Sequence, residues 1–207
     1  MNKIFTLKVD HSQIIDDIPN IHKVNLEDYQ DLSQVLASEK HSFSDVIIAR
    51  ANILQLQNFD FVANDLNIPI FSQKTIEITQ IDKVDEVILI PLFLVDDTYL
   101  KPFTREVVLS GKLEVNEKFY SLKFTKQLGF CNRELSTFKK LRSKPNELGI
   151  LKKPVLNVPD LGFPEIFRIK ESISFLFVTE KVKNIIELNG LKGFVFEEVE
   201  TTSQTPT

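Results

Sequence analysis

Cysteine, histidine and glycine are all scarce in this chain. Among its 207 residues there are one cysteine, Cys131, six glycines and three histidines, His11, His22 and His41. A single cysteine excludes an intramolecular disulfide, which favours a reducing compartment, and we therefore expect a cytoplasmic protein. Zinc sites need cysteine or histidine ligands at short spacings. No such spacing occurs, so we expect no metal ion.

Glycine-dependent catalytic motifs are missing as well. The chain has no G-x-S-x-G nucleophile elbow, no G-x-x-x-x-G-K-[ST] phosphate loop and no G-x-G-x-x-G dinucleotide fingerprint. Paired acids occur at residues 16–17, 96–97 and 197–198. Neighbours on a strand point to opposite faces, so such pairs rarely converge as general acid and base. The sequence therefore predicts a protein that binds no cofactor and is not an enzyme.

No apolar run is long enough to span a membrane. The longest lies at residues 87–95 and is interrupted by Pro91, whereas a membrane-spanning helix needs about 20 apolar residues. The first ten residues alternate between apolar and polar side chains and lack the apolar core of a signal peptide. We expect no membrane partner and no secretion.

Strong charge of either sign is also lacking, since the formal net charge is −4. A nucleic-acid-binding protein needs a cationic surface to displace counterions from phosphate, so we expect no nucleic-acid partner. The charge is uneven: residues 112–144 hold nine Lys or Arg against three Glu, a balance of +6 that leaves −10 elsewhere. Either the protein has two solvated faces, or its acidic face steers a basic partner.

What the chain does contain is the patterning of a globular protein that mixes helices and strands. Its hydrophobic share of 43% and charged share of 26% are ordinary. We predict an α+β fold, a single domain over residues 1–200 with a mixed or antiparallel sheet and three or four short helices, before a disordered tail at 201–207. The predicted strands lie at residues 3–9, 84–95, 154–158, 165–169, 173–178 and 193–199, with a central β-meander at 105–109, 112–115 and 119–124.

Helix signals are found at residues 26–36, 73–79, 132–142 and 180–188. Ser72 and Thr179 precede two of these segments, and each can cap a helix by accepting a backbone N–H. Gly190 can take the left-handed conformation after the last helix, and Leu191 can pack back on that helix, as in a Schellman motif.

Two stretches of the chain echo each other, at residues 68–97 and 173–200. The likeness is between two five-residue segments, Ile70-Phe71-Ser72-Gln73-Lys74 and Phe177-Val178-Thr179-Glu180-Lys181. A duplication would explain it, but a strand, a capped helix and a second strand are also a common structural solution. The sequence leaves both explanations open.

A longer signature surrounds the second of these segments. It reads Phe177-Val178-Thr179-Glu180-Lys181-Val182-Lys183 and then Leu191-Lys192-Gly193-Phe194-Val195-Phe196-Glu197-Glu198-Val199. This resembles the closing signature of immunity protein family eleven of bacterial polymorphic toxin systems, an apolar strand, S/T-E-K/R, an amphipathic helix, a small-residue break and G-[FV]-x-[FW]-E/D. Phe167-Arg168 is similar to the family's phenylalanine–arginine strand, and residues 68–74 with Ile90-Pro91 are similar to its middle segment. The likeness does not extend over residues 113–157.

The resemblance implies an immunity protein, an antidote that neutralises a cognate bacterial toxin by direct binding and needs no catalytic group. Such a protein needs a complementary surface with buried anchors and steering charge. Since toxin domains that attack nucleic acid are commonly basic, we predict an acidic partner-binding surface. The candidate residues are Asp82, Asp85, Glu86, Asp96 and Asp97.

Two other classes of function stay open from the residues alone. An enzyme could assemble its site in the fold around Cys131, His41 or the histidines at positions 11 and 22. A non-catalytic subunit could form a homodimer by pairing an edge strand at residues 84–95 across a twofold axis. Pro91 cannot donate to a sheet ladder, so that strand is predicted to lie at an edge there, to be bulged or to end early.

Overall fold

Strands make up most of the fold, and four short α-helices complete it, over the residues that the computed structural model describes, 3–13, 21–23, 46–66, 68–140 and 149–203. The strands are β1 Ile4–Val9, β2 Ile21–Lys23, β3 Ile47–Ala51, β4 Ile70–Ser72, β5 Val87–Asp96, β6 Asn116–Phe124, β7 Thr137–Lys139, β8 Ile150–Lys153, β9 Val155–Val158, β10 Ile166–Ile169, β11 Ser172–Thr179 and β12 Phe194–Ser203. The helices are α1 Ile53–Leu56, α2 Gln73–Thr79, α3 Arg105–Leu109 and α4 Glu180–Leu188. The predicted α+β class is confirmed.

Most strands belong to two sheets of five strands, where the sequence predicted one sheet. The first sheet has the order β10-β11-β1-β12-β9, and the second has the order β2-β3-β5-β6-β4. Both are mixed, because β9 runs parallel to β12 and β3 runs parallel to β5 while the other neighbours are antiparallel. Strands β7 and β8 form a separate pair.

Each large sheet contains a strand–helix–strand unit with another strand inserted between its two strands. β11, α4 and β12 follow one another in the chain, and β1 lies between β11 and β12, antiparallel to both. β4, α2 and β5 are arranged in the same way around β6. The first half of the chain (β1–β5) and the second half (β6–β12) therefore each supply their first strand to the sheet of the other half.

The two units also share one register. The partners of the middle strands are equivalent, since Ile4 lies opposite Thr179 and Val199 while Phe119 lies opposite Ser72 and Leu92. Thr179 follows Ser72 by 107 positions, and Val199 follows Leu92 by the same 107. The parallel pairs keep the same offset. Ile48 pairs with Phe93 and Val155 pairs with Glu200, and each residue of the second pair follows its counterpart in the first by 107 positions.

The sequences of the two middle strands match in the same register. Placing Ile4 on Phe119 aligns Lys3-Ile4-Phe5-Thr6-Leu7-Lys8-Val9 with Lys118-Phe119-Tyr120-Ser121-Leu122-Lys123-Phe124. Both lysines and the leucine are identical, and an aromatic residue and a hydroxyl residue occupy the same two positions between them. The internal repeat thus includes the exchanged strand as well as the helix unit.

A shared hydrophobic core lies between the two sheets and holds the halves together. Helices α2 and α4 pack against each other over this core and contribute Ile76, Val182 and Ile186 to it. Strands of both sheets supply the rest, including Phe5, Leu7, Phe71, Leu122, Phe124, Leu176 and Val178. The outer face of each sheet has a core of its own, which contains Phe177 in the first sheet and Ile70 in the second.

The helix ends follow from local sequence. Ser72 Oγ accepts a hydrogen bond from Thr75 N at 3.1 Å, and Leu191 N donates to Ile186 O at 3.1 Å. Gly190 has a φ of +59°, so the predicted Schellman ending of α4 is confirmed. Thr179 occupies the N-cap position of α4, but its side chain makes no capping hydrogen bond.

Strand β5 has neighbours on both sides over only part of its length. It pairs with β6 from Val87 onward, whereas its pairing with β3 begins at Leu92. Pro91 therefore lies where the described strands leave one side unpaired, and the register with β6 shifts between Leu92 and Leu94. The expected edge and bulge are both found near the proline. From Leu92 to Leu94 the strand lies between β3 and β6 and offers no free edge for a homodimer.

Three local predictions were wrong. The β-meander does not form, because residues 105–109 are helix α3, residues 112–115 lie outside the strands, and only its third segment is a strand, within β6. The helix predicted at 132–142 is not found over its described part, which contains β7. Strand β12 continues through residues 201–203, which were assigned to a disordered tail. The helix predicted at 26–36 lies outside the described residues.

Candidate functional site

A cleft of about 730 Å³ opens at the end of β5, next to the segment that joins the two halves of the chain. Three parts of the chain line it: the end of β5 with the turn that follows, the start of α1, and residues 113–118 at the start of β6. Its apolar lining consists of Ile53, Leu94, Val95, Tyr99, Leu113 and Val115. Its charged lining consists of Asp96, Glu114, Glu117 and Lys118, three acids against one base.

The turn after β5 is fixed by short-range hydrogen bonds. Asp97 N donates to Ala51 O at 2.9 Å, which joins the turn to the end of β3. Asp96 Oδ1 accepts hydrogen bonds from the hydroxyl and the backbone N–H of Thr98. These bonds, that of the hydroxyl first, hold the pKa of Asp96 below its ordinary value. The carboxylate at the edge of the cleft is therefore charged at neutral pH.

An arginine holds the segment beyond this turn. Arg50 on β3 donates from Nη1 to Tyr99 O at 2.5 Å, and its guanidinium carbon lies 4.8 Å from the centre of the Phe103 ring. This stacking is a cation–π contact. Thr104 Oγ1 then accepts from Val107 N at 3.4 Å and caps α3. The joining segment thus has a defined path beside the cleft.

Two exposed leucines directly follow residues of the cleft lining in the sequence. Leu100 is 88% exposed and follows Tyr99, while Leu54 is 76% exposed and follows Ile53. Tyr99 and Ile53 both line the cleft. A large contiguous apolar patch often marks a surface that another molecule covers, and these leucines would extend the apolar lining of the cleft.

The predicted acidic residues do not form one surface. Asp96 and Asp97 lie together at the cleft, and only Asp96 lines it. Asp82 and Asp85 are exposed and Glu86 is half-buried, and all three precede β5. The nine strand residues 87–95 separate Glu86 from Asp96, which is roughly 30 Å at the rise of an extended chain.

The sequence analysis missed the other two acids of the cleft. Glu114 and Glu117 lie within residues 112–144, which were interpreted as basic from their summed charge. The signal that could have found them is local, because Glu114 lies between the apolar residues Leu113 and Val115 and Glu117 follows two positions later. Summing charge over a long window conceals such a short acidic and apolar stretch.

Cys131 is not joined to a histidine among the described residues. It lies in the core on the outer face of the first sheet, 7% exposed, with Sγ 3.4 Å from Ser136 Oγ. His22 lies on β2 in the other sheet, and His41 lies outside the described residues. Burial is the main reason that the pKa of the Cys131 thiol is raised, which disfavours the nucleophilic thiolate.

We expect iodoacetamide to modify Cys131 slowly in the folded protein and at the rate of a free thiol in urea. Only the thiolate reacts, and burial both raises the pKa and blocks access. Intact-mass spectrometry over time at pH 7.5, with and without urea, measures both rates. Equal rates in the two conditions would contradict this prediction and favour a reactive cysteine.

The described residues contain no group of three or more His, Cys, Asp or Glu side chains that could hold a metal ion. Within the same residues, no helix has the length and apolar character needed to cross a membrane. No protein-family model matches the chain, and no curated protein matches its sequence.

Proposed function

We propose that this chain is a binding protein that neutralises a cognate bacterial toxin by direct contact, and that the cleft at the end of β5 belongs to the contact surface. The observation that carries the proposal is the combination of an apolar cleft, an acidic lining and two exposed leucines at one place. The resemblance of the C-terminal unit to immunity protein family eleven supplies the class of partner.

The chemistry of the cleft favours a partner with an apolar anchor and basic surroundings. Interfaces draw most of their binding free energy from a few buried apolar or aromatic anchors. Ile53, Tyr99 and Leu113 are partly exposed and form an apolar part of the lining that such an anchor could contact. Asp96, Glu114 and Glu117 would then attract Lys or Arg around the anchor and speed up association.

The three acids before β5 form a separate prediction. Asp82, Asp85 and Glu86 lie too far from the cleft to contact the same small anchor. A large partner could reach both ends of β5, because a standard interface spans about 800 Å² on each side. The proposal therefore places the anchor at the cleft and gives these three acids a steering role.

Replacing Leu100 with glutamate should weaken binding of the toxin at least tenfold, since the change puts a charge where an apolar contact forms. The first measurement is co-expression with the protein encoded by the adjacent gene, scored by growth and by a co-purifying complex. Titration calorimetry of the complex then compares Leu100→Glu with Leu161→Glu, which alters another exposed leucine, in the segment between β9 and β10.

Two results together would support the proposal. The chain would rescue growth, and the complex would be weakened by Leu100→Glu but not by Leu161→Glu. A complex that neither variant weakens would contradict the cleft as the contact surface. If the neighbouring protein is toxic and this chain neither rescues growth nor binds it, the antidote function is wrong for that pair.

A further inference from the structure

A second cavity, of about 460 Å³, lies where the two halves of the chain meet. Its lining includes two pairs of residues that occupy equivalent positions in the two halves, Ala63 with Arg168 and Pro69 with Leu176. Pro69 and Leu176 are 107 positions apart, the offset of the helix units. A cavity that both members of such pairs line lies at the junction of the two halves. Ligand sites are often found at such junctions between structural units.

The equivalence of Ala63 and Arg168 rests on their backbone hydrogen bonds. Ile21 N donates to Ala63 O at 3.2 Å, and Leu128 N donates to Arg168 O at 2.9 Å. Ile21 and Leu128 are themselves 107 positions apart. The first half thus makes the same backbone contact with an alanine that the second half makes with an arginine. The strand geometry does not require an arginine here.

Arg168 is the unusual member of the lining. Its side chain is buried, with 7% exposure, and its Nε has no hydrogen-bond partner within the part of the chain that the structure describes. Its guanidinium carbon lies 5.4 Å from the centre of the Phe124 ring. Burial lowers the pKa of Arg168 to about 10, so the group is still cationic at neutral pH.

A buried cation without a hydrogen-bonded anion is unfavourable, and an apolar residue of similar size is often tolerated better. Ala63 shows that this fold accepts an apolar side chain at the equivalent position. The stability of the fold therefore does not explain why an arginine occupies this position. A bound anion would supply the missing acceptor, because a guanidinium binds a carboxylate through two parallel hydrogen bonds.

We propose that this cavity binds a small amphipathic carboxylate, with its carboxylate on Arg168 and its apolar chain against Leu7, Phe61 and Leu176. All three apolar residues line the cavity, as do Lys8 and His11, although the Lys8 ammonium is paired with Glu197 at 2.6 Å. The apolar part of the lining excludes a strongly hydrated anion such as free phosphate as the best ligand. The proposal concerns a different site from the toxin-binding cleft and does not depend on it.

The test uses the full-length protein with decanoate as the probe and decanol as its neutral counterpart. Titration calorimetry should show saturable binding of decanoate that is at least tenfold tighter than that of decanol, because only decanoate pairs with the guanidinium. Arg168→Leu should remove this preference and leave decanol binding unchanged. Arg133→Leu, which removes a positive charge outside the cavity, should behave like the wild type.

The comparison of decanoate with decanol on the wild-type protein does not depend on any variant being folded. Decanoate binding no tighter than decanol binding, or no saturable binding of decanoate, would overturn the proposal. Equal decanoate affinity of Arg168→Leu and the wild type would overturn the role of the arginine. None of these results bears on the toxin complex, which co-expression tests separately.

Discussion

Replacing Gly193 with alanine is expected to destabilise the protein by about 3 kcal/mol, from backbone strain of roughly 1–2 kcal/mol and overpacking of roughly 1–3 kcal/mol. Gly193 has a φ of +91°, and a Cβ built on it would lie 2.2 Å from Phe61 O. The melting temperature should fall by about 6–12 °C, because 1 kcal/mol corresponds to about 2–4 °C in a protein of this size. Calorimetry or circular dichroism measures the shift.

The clash cannot relax easily, because hydrogen bonds hold both backbones. Phe61 N donates to Lys192 O at 3.1 Å, and Asp10 N donates to Gly193 O at 2.9 Å. Asp60, next to Phe61, accepts from Lys192 N through Oδ2 at 2.9 Å and from Ser72 Oγ through Oδ1 at 2.8 Å. The loop after α4 in the second half is thus tied to the first half of the chain. Moving it away from the new methyl group would break these bonds.

Gly162→Ala is the matched control for this prediction. Gly162 also has a positive φ, +78°, but a Cβ there meets no atom within 4 Å. Gly162→Ala should lower the free energy of unfolding by the backbone strain alone, about 1 kcal/mol. If the two variants lost the same stability, the close approach of Gly193 to Phe61 would not contribute.

Replacing Phe177 with alanine is expected to lower the free energy of unfolding by about 3–5 kcal/mol, the usual range for a buried phenylalanine. Phe177 is 0% exposed, and its ring is stacked on Phe167 with the centres 5.2 Å apart and on Phe175 with the centres 5.9 Å apart. The change removes both ring contacts and leaves a cavity in the core beneath the first sheet. Urea unfolding should show a lower midpoint at an unchanged slope.

The internal repeat supplies two controls for this variant. Ile70 is the equivalent residue of the second sheet and is also 0% exposed, so Ile70→Ala should cost about 2–5 kcal/mol. Val195 lies on the same helix unit as Phe177 but is 37% exposed. Val195→Ala should cost well under half as much as Phe177→Ala. A loss below about 1 kcal/mol for Phe177→Ala would mean that the core beneath the first sheet does not pack as described.

Features that depend on a few neighbouring residues could be predicted from the sequence. The Ser72 cap and the Gly190 and Leu191 ending of α4 were found because each needs only residues within one or two helical turns. The failures at residues 105–109 and 132–142 are also local, since short apolar segments fit a strand and a helix about equally well. Packing decided between them, with Val108 buried against β3 and β5 in helix α3.

The candidate sites could be predicted only in part. Asp96 was chosen for its charge, and its position beside an apolar cleft depends on residues 113–118 returning to β5. Arg168 was noticed only as part of a family-like strand. Its burial and its unpartnered Nε depend on the meeting of two halves that lie far apart in the chain. No periodic pattern in the sequence predicts a contact between segments so far apart in the chain.

The sequence by itself determined the two strand–helix–strand units, the Ser72 cap of α2, the Schellman ending of α4 and the mixture of apolar and charged residues that gives an α+β fold. The tertiary structure alone decided that β1 joins the sheet of the second half and β6 joins the sheet of the first. The matching strands beginning at Lys3 and Lys118 pair with their units in the same register, so local sequence does not distinguish one unit from the other. The exchanged arrangement buries apolar residues of both helices in one shared core, and a core built from both halves is a property of the whole chain.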